Sequence, residues 1–278
     1  MGKLTGWVKK HQVFAFFIFA FAISWCLWIP DIIITGGKMS VFTYAGGFGP
    51  FLSAVLVVWI VEKRVGLRQW FRRTFRLRIN ILWYLLGALF LPIGVVLLQF
   101  SLYLLFGGQP DFSNALPWWL YLLNLPIAML FAGGNEEPGW RGFALPKLLT
   151  KRNPLIASLI LGILWAIWHV PVFFNAEWVG AGTPFVWFIA NVVGLSFIMT
   201  WLYQRSSRSV LPVMLFHQAT NIIWNYFPMP DDVLSGIDDF IVLKTIVYWT
   251  LAIFLIIATK GRLGCHLDLS FLSRFDNH

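Results

Sequence analysis

Charge is scarce in this sequence. Only 12% of its 278 residues are charged, whereas 59% are hydrophobic. A soluble domain carries about twice that share of charge, so the composition excludes a large soluble domain. Several apolar runs exceed the roughly 18 residues that indicate a membrane-crossing helix. We therefore predict an all-α, polytopic membrane protein in which residues 1–278 form a single integral domain.

Cysteine is nearly absent as well, with two residues in the chain. Cys26 lies in the first hydrophobic run and Cys265 in the C-terminal tail. This spacing predicts neither a disulfide framework nor a metal motif. The net charge of +9 does not indicate nucleic-acid binding, because the basic residues lie between hydrophobic spans, where they set topology.

Hydrophobic runs dominate what the sequence does contain. The eight runs cover residues 13–34, 42–61, 81–106, 117–135, 154–174, 184–203, 209–227 and 240–259. The first run follows Lys3, Lys9 and Lys10 as in a signal peptide, but it continues well beyond the small residues near Ala20. We therefore expect an uncleaved first span. The motifs described below fall in a core of about residues 117–227.

The distribution of Lys and Arg predicts the topology. Basic clusters occur at Lys3/Lys9/Lys10, 63–78, Lys147/Lys151/Arg152, Arg205/Arg208 and Lys260/Arg262. The loops between them are acidic or neutral, with Asp111, Glu177 and Asp231/Asp232/Asp238/Asp239, and Lys38 is the main exception. This alternation fits eight spans of a multi-pass cell-membrane protein with both termini in the cytoplasm.

The most basic loop contains the stretch LRQWFRRTFRLRI at residues 67–79. Leu67, Trp70, Phe71 and Phe75 lie near one helical face, with arginines around them. This pattern is typical of a helix that lies on the cytoplasmic surface and is attracted to anionic lipid. The alternative is a loop whose positive charge serves only to set topology.

A few polar residues lie at membrane depth, where ionisable side chains are rare and usually functional. They are Glu136, Glu137, Arg141, His169, His217 and Asn221. The first three belong to GGNEEPGWRGF, residues 133–143. There the glycines can end one helix, Asn135 can cap the next, and Pro138 fits a first helical turn. We expect an interrupted helix that lines a water-filled cavity.

Spacing separates the two glutamates. Glu137 and Arg141 are four residues apart, which places them on one helical face as an ion pair. Glu136 points about 100° away and is free to face the cavity. The alternative is a structural ion pair beside a carboxylate without a role.

Two further pairs repeat this spacing on later segments. Trp165 and His169 share a helical face just before Pro171. His217 and Asn221 also project together, so Asn221 can orient His217 or donate a hydrogen bond itself. Each pair has a purely structural interpretation too: a lone histidine satisfied within the bundle, or a polar patch that joins two helices.

Together these residues supply a carboxylate, two imidazoles and an amide. Burial raises the pKa of a carboxyl group and a nearby cation lowers it, so a glutamate in such a site can act as a base near neutral pH. Histidines and an asparagine can hold a water molecule and bind a tetrahedral oxyanion. This set is sufficient for water-activated acyl transfer.

The three motifs resemble those of the CAAX prenyl protease and bacteriocin-processing (CPBP, or Abi) intramembrane endopeptidases. The family pattern is Glu-Glu-x-x-x-Arg, Phe-x-x-x-His and His-x-x-x-Asn/Asp on successive helices. It matches EEPGWRGF, Trp165…His169 and His217…Asn221, within about residues 133–221. The family core also has eight spans. Trp165 stands where the family prefers Phe, which leaves the chemistry intact and reshapes the pocket wall.

The resemblance implies a role for each matching residue. The implied roles are catalytic for Glu136, His169, His217 and Asn221, supporting for Glu137 and Arg141, and pocket-lining for Trp140 and Trp165. Glu136 would activate the hydrolytic water with help from His169. His217 and Asn221 would stabilise the oxyanion.

The family is described as glutamate-dependent, which implies hydrolysis without a metal or another cofactor. The alternative is a zinc ion bound by Glu136, His169 and His217 with one open position. The sequence has no His-Glu-x-x-His helix of the kind that binds zinc in metalloproteases.

We therefore predict an intramembrane endopeptidase whose site lies in the cytoplasmic half of the bilayer or near its midplane. The expected partners are membrane lipids and a peptide, either a tail beside a prenylated cysteine or a bacteriocin or signalling precursor. Two other classes stay open: a non-catalytic immunity or scaffold protein of the same fold, and a transporter. The absence of an inverted repeat disfavours the transporter, and the complete Glu/His/His/Asn set favours the enzyme over the scaffold.

Overall fold

The structure is a computed structural model that describes residues 2–178, 182–227, 229 and 239–264. This part of the chain is helical, without a strand. Its helices are α1 (Lys3–Lys10), α2 (Gln12–Thr35), α3 (Val41–Gly46), α4 (Gly49–Thr74), α5 (Ile81–Leu105), α6 (Trp119–Phe131), α7 (137–149), α8 (Pro154–Trp168), α9 (Phe185–Arg205), α10 (Leu211–Ile222) and α11 (Asp239–Ala258). Of the residues used above, Asp231, Asp232, Asp238 and Cys265 lie outside the described residues.

Five helical segments of the described chain are long and apolar enough to cross a membrane. They are Gln12–Thr35, Ile81–Leu105, Pro154–Phe174, Phe185–Arg205 and Phe240–Ala258. The predicted all-α membrane fold is therefore confirmed. The count of eight spans is not, because α6 and α10 have only 13 and 12 residues. Those helices are shorter than the roughly 20 residues that a full crossing requires.

Four helix pairings build the interior. α2 packs against α4, α8 against α9, and α9 against α11, while α10 packs against α5 and α6. One large hydrophobic cluster runs through these contacts, with the buried rings of Trp140, Trp165 and Trp168 at its centre. The membrane-depth polar residues therefore lie among aromatic side chains.

Helix α4 changes direction at Lys63, whose backbone angles (φ 58°, ψ −153°) are not helical. The helix then continues to Thr74, so the helix expected over 67–79 ends five residues early. The following backbone is tied to the start of α10 instead. The amide of Val210 donates to the carbonyl of Thr74, and the hydroxyl of Ser209 donates to the carbonyl of Arg76.

The interruption expected near the glutamates is present. α6 ends at Phe131, Gly133 has φ +113°, and a short 3₁₀ turn covers Gly134–Glu136 before α7 begins. Pro138 lies in the first turn of α7, as the sequence predicted. The capping role expected for Asn135 is wrong, because this residue is inside the 3₁₀ turn and its Oδ1 accepts from the amide of Gly133 at 2.9 Å.

Helix α7 is irregular and packs closely on α4. Its residues Trp140–Ala144 form a π turn, a distortion that often occurs at functional sites. Just before this turn, Gly139 lies against the backbone of Pro50, and a Cβ atom at Gly139 would overlap that backbone. Backbone cannot move aside as a flexible side chain can, so this contact requires glycine.

We predict that Gly139→Ala destabilises the fold by about 1–3 kcal/mol, the usual cost of overpacking a close contact. The measurement is the thermal unfolding midpoint of the purified protein in detergent. Gly94→Ala is the matched control, since nothing lies within 4 Å of the added methyl group. Alanine also favours a helix over glycine. Equal midpoints for the two variants would contradict the assigned contact between α7 and α4.

Candidate active site

Glu136 is held in place by two tryptophans. Its Oε2 accepts a hydrogen bond from Nε1 of Trp165 at 2.7 Å and another from Nε1 of Trp140 at 3.2 Å. Only 6% of the residue is exposed. Glu136 is therefore not free to face a cavity, as the spacing had suggested, but is a buried and oriented carboxylate.

Glu137 forms the ion pair that the spacing predicted, together with a contact that it did not predict. Its Oε1 accepts from Nη1 of Arg141 at 2.9 Å and lies 2.8 Å from Nδ1 of His217. Glu137 and Arg141 are completely buried, and His217 is 5% exposed. One carboxylate oxygen thus joins α7 to the ring of a histidine on α10.

Trp165 links the two glutamates. The guanidinium carbon of Arg141 lies 4.5 Å from the centre of its ring, a cation–π contact. The ring of His217 meets it edge to face, with 5.1 Å between the centroids. Since its N–H group is bound to Glu136, one buried indole contacts a carboxylate, a guanidinium and an imidazole.

His169 lies at the end of α8 and is fixed by its own helix. Its Nδ1 is 2.9 Å from the carbonyl oxygen of Trp165. A carbonyl can only accept, so Nδ1 carries a proton and Nε2 of the neutral ring has a free lone pair. The ring stacks on Trp178 at 5.9 Å and meets Phe188 edge to face at 5.3 Å.

Asn221 and His217 converge on Gly133. A Cβ atom at Gly133 would lie 2.7 Å from Nδ2 of Asn221 and 2.9 Å from Nε2 of His217. Nδ2 of Asn221 also donates to the carbonyl of Ala132 at 3.3 Å. The missing side chain at Gly133 therefore leaves two polar nitrogens close to one point. Asn221 does not orient His217, because Nδ1 of that ring is bound to Glu137.

The structure brings together the residues singled out in the sequence. Direct contacts join Glu136, Glu137, Trp140, Arg141, Trp165 and His217, while His169 joins through the carbonyl of Trp165 and Asn221 through Gly133. Two contacts were missed: the indole N–H groups on Glu136 and the bond between Glu137 and His217. The first had a signal, because Trp140 follows Glu136 at the same four-residue spacing as Arg141 follows Glu137.

The alternative zinc site has no preformed ligand set in the described chain. Among the described residues, no three His, Cys, Asp or Glu side chains are grouped so that they could hold a metal ion. Oε2 of Glu136 is bound by two indoles and Nδ1 of His217 by Glu137. Zinc binding by Glu136, His169 and His217 would require Glu136 to leave these partners.

Fold and site define an integral membrane protein with a buried carboxylate–histidine centre. Residues 117–223 match a family model described as type II CAAX prenyl endopeptidase, Rce1-like. The chain is also similar to CAAX prenyl protease 2 of Methanococcus maripaludis, with 24% identity over 228 residues that cover 77% of this chain and 84% of the relative. These matches confirm the family resemblance: the chain carries an Rce1-like CAAX prenyl endopeptidase domain. They support a peptidase.

Two other relatives match less of their own length. Lysostaphin resistance protein A of Staphylococcus epidermidis is 21% identical over 218 residues, which cover 78% of this chain and 54% of the relative. The chain thus spans about half of that protein. One of the subunits of NADH-quinone oxidoreductase from Rickettsia conorii is 25% identical over 143 residues, 43% of this chain and 40% of the relative.

We predict that Glu137→Gln lowers the free energy of unfolding by about 3 kcal/mol, because removing one partner of a buried ion pair leaves the other charge uncompensated. The measurement is thermal unfolding in detergent. Glu62→Gln is the control, since Glu62 is an exposed carboxylate on α4 and such substitutions usually change stability by less than about 0.5 kcal/mol. A Glu137→Gln variant as stable as this control would contradict the structural role of the ion pair.

Proposed function

We propose that this protein is an intramembrane endopeptidase that hydrolyses a peptide bond with water activated by Glu136. One observation carries the proposal: Glu136 is a buried, doubly hydrogen-bonded carboxylate beside a second network in which Glu137 binds Arg141 and His217. Structural stability does not need both glutamates in adjacent positions at this depth. The confirmed family resemblance supports the same activity.

In the first step, Glu136 removes a proton from a water molecule whose oxygen attacks the scissile carbonyl carbon. His169 assists from Nε2, which accepts a hydrogen bond from the same water because Nδ1 is bound to the carbonyl of Trp165. The N–H groups of Trp140 and Trp165 orient the carboxylate and leave its Oε1 as the oxygen available to the water.

The attack converts the carbonyl oxygen into an oxyanion, which needs hydrogen-bond donors at about 2.7–3.1 Å. His217 and Asn221 are the donors we propose, because Nε2 and Nδ2 approach one point beside Gly133 at 2.9 and 2.7 Å. Nε2 of His217 donates when the ring carries both protons, a state that the carboxylate of Glu137 stabilises through Nδ1. The intermediate collapses when the C–N bond breaks and the proton held by Glu136 passes to the leaving amine.

Glu137 and Arg141 support the site without touching the reacting atoms. They fix the His217 ring, and Arg141 also supports Trp165 through the cation–π contact. Trp140 and Trp165 stay our predicted pocket residues, and their contacts with Glu136 give them a positioning role as well. We propose hydrolysis without a metal or another cofactor.

The proposed substrate is a peptide in or beside the membrane. One option is a C-terminal tail next to a prenylated cysteine, which agrees with the printed name of the Methanococcus relative. The other is a bacteriocin or signalling precursor. We propose a multi-pass arrangement in the cell membrane with both termini in the cytoplasm, in contact with lipids and without a nucleic-acid partner.

We predict that Glu136→Gln lowers kcat by at least about 10³, since it removes the general base but keeps both indole hydrogen bonds possible. The assay compares cleavage of a prenylated peptide and of a peptide library by the purified variants. Glu62→Gln is the matched control and should keep wild-type activity. Equal cleavage by Glu136→Gln and the wild type would refute the assignment, and a wild type that cleaves neither substrate would favour the non-catalytic alternative.

The same preparations decide between the two metal alternatives. We expect full activity after treatment with a chelator and no stoichiometric metal by elemental analysis. Activity lost with the chelator and restored by zinc would replace the metal-free mechanism with the zinc site at Glu136, His169 and His217.

We predict that Trp165→Phe, which restores the residue preferred by the family, reduces kcat several-fold with little change in KM. The variant keeps an aromatic ring but loses the N–H donor to Glu136. Because that donor stabilises the ionised carboxylate, the acid limb of the kcat/KM profile should move to higher pH. Trp249→Phe is the control, as its N–H group donates to the carbonyl of Ala190. A raised KM with an unchanged pH profile would instead make Trp165 a pocket wall only.

A further inference from the structure

The second half of α4, after the break at Lys63, has two contrasting faces. Gly66, Trp70 and Thr74 are buried and recur at intervals of four residues. Arg64, Arg68 and Arg72 recur at the same interval on the opposite face, and all three are exposed. We call these three residues the arginine stripe. Since nothing in the bundle packs on it, the stripe faces outward while the helix is anchored from behind.

The arginine stripe lines a shallow concave surface. The concavity has a volume of about 740 Å³ and is lined by Arg64, Arg68 and Arg72 together with Val65, Leu67, Gln69 and Phe71. The three guanidinium groups form no ion pair with any described carboxylate. Apolar groups are open beside them, with Val65 69% and Phe71 37% exposed. The surface therefore offers positive charge and apolar contact at the same place.

These features favour one kind of ligand. Guanidinium groups bind phosphate oxygens in paired hydrogen bonds. A helix with arginines and exposed apolar residues binds where a lipid head group meets the acyl chains. The stripe also begins directly after the apolar first half of α4, Gly49–Glu62, in a chain with membrane-crossing helices on either side. A head group at the membrane surface is thus within reach of the arginines.

The buried face of the same helix contacts the segment that carries the candidate site. Nε1 of Trp70 donates to the carbonyl of Gly142 at 3.0 Å, a buried hydrogen bond. A Cβ atom at Gly142 would lie 2.8 Å from Cγ2 of Thr74, so the two backbones approach closely. Gly142 follows Arg141 inside the π turn Trp140–Ala144. The helix of the arginine stripe is therefore fastened to the turn that holds Trp140 and Arg141.

We propose that the arginine stripe binds the phosphate group of an anionic phospholipid, and that the bound lipid favours the active arrangement of the site through the contact between Trp70 and Gly142. Lipid binding restrains the second half of α4, and the indole hydrogen bond passes that restraint to the π turn. The binding part of the proposal stands on the stripe alone. The activation part rests on the proposed peptidase function.

Lipid binding is tested with Arg64→Gln, Arg68→Gln and Arg72→Gln combined in one variant. The control combines Arg78→Gln, Lys151→Gln and Arg152→Gln, which removes the same charge from three exposed residues elsewhere. Retention of phosphatidylglycerol is measured by native mass spectrometry after reconstitution. Each basic residue near an anionic surface strengthens binding about fivefold. We therefore expect the stripe variant to retain at least about tenfold less lipid, while the control stays near the wild type.

Two outcomes would overturn lipid binding. One is equal retention by the stripe variant and the control variant, which would leave only a general effect of positive charge. The other is displacement of the lipid by millimolar inorganic phosphate, which would identify a site for a small anion. We expect phosphate to have no effect, because the apolar contacts beside the stripe are made only by a lipid.

Coupling is tested with Trp70→Phe, which removes the donor to Gly142 but keeps a ring. Cleavage is compared in vesicles of phosphatidylcholine alone and of phosphatidylcholine with phosphatidylglycerol. We expect several-fold activation by phosphatidylglycerol in the wild type and in Trp249→Phe, and none in the stripe variant. Trp70→Phe should retain the lipid, which also shows that it is folded, yet lose the activation.

The outcomes separate this inference from the proposed function. Activation of Trp70→Phe equal to that of the wild type would overturn the coupling. A wild type without cleavage in either vesicle would count against the peptidase, while lipid retention would still decide on the arginine stripe.

Discussion

The polar interior of this protein depends on a single oxygen atom, Oε1 of Glu137. Arg141 and His217 both bind it, at 2.9 and 2.8 Å. The three side chains come from α7 and α10 and are almost completely removed from solvent. In such a place a charge is tolerated only when its partners are fixed in good geometry. The shared oxygen therefore sets how the two helices sit against each other and which nitrogen of His217 faces the site.

Aromatic residues extend this polar centre without adding charge. Trp165 offers its face to Arg141, its edge region to His217 and its N–H group to Glu136. An indole suits this position because its ring is apolar and its N–H group is a donor. A phenylalanine would fill the same space but would leave Glu136 with the longer bond to Trp140. The departure from the family pattern thus lies at the point where the apolar core meets the reactive carboxylate.

Much of this arrangement was predictable from the sequence, since it follows from local spacing. The ion pair of Glu137 with Arg141 and the interruption at Gly133 and Pro138 are short-range features, and both are present. Contacts between distant segments were not predictable. The bond from His217 to Glu137 joins residues 80 apart, and no periodic pattern encodes such a distance. The end of α4 at Thr74 was missed for the same reason, because its carbonyl is bound by Val210.

The broken helix explains why polar chemistry is possible in so apolar a chain. A regular helix would satisfy its own backbone and point each side chain in a direction fixed by the period. Here the turn at Gly133 and the π turn Trp140–Ala144 interrupt that period on both sides of the two glutamates. Irregular backbone at membrane depth is tolerated only where protein surrounds it, and α4 and α10 provide that cover. The close approach of α4 at Gly139 and Gly142 is therefore a condition for the site as much as for the fold, because it encloses the distorted backbone that presents Glu136.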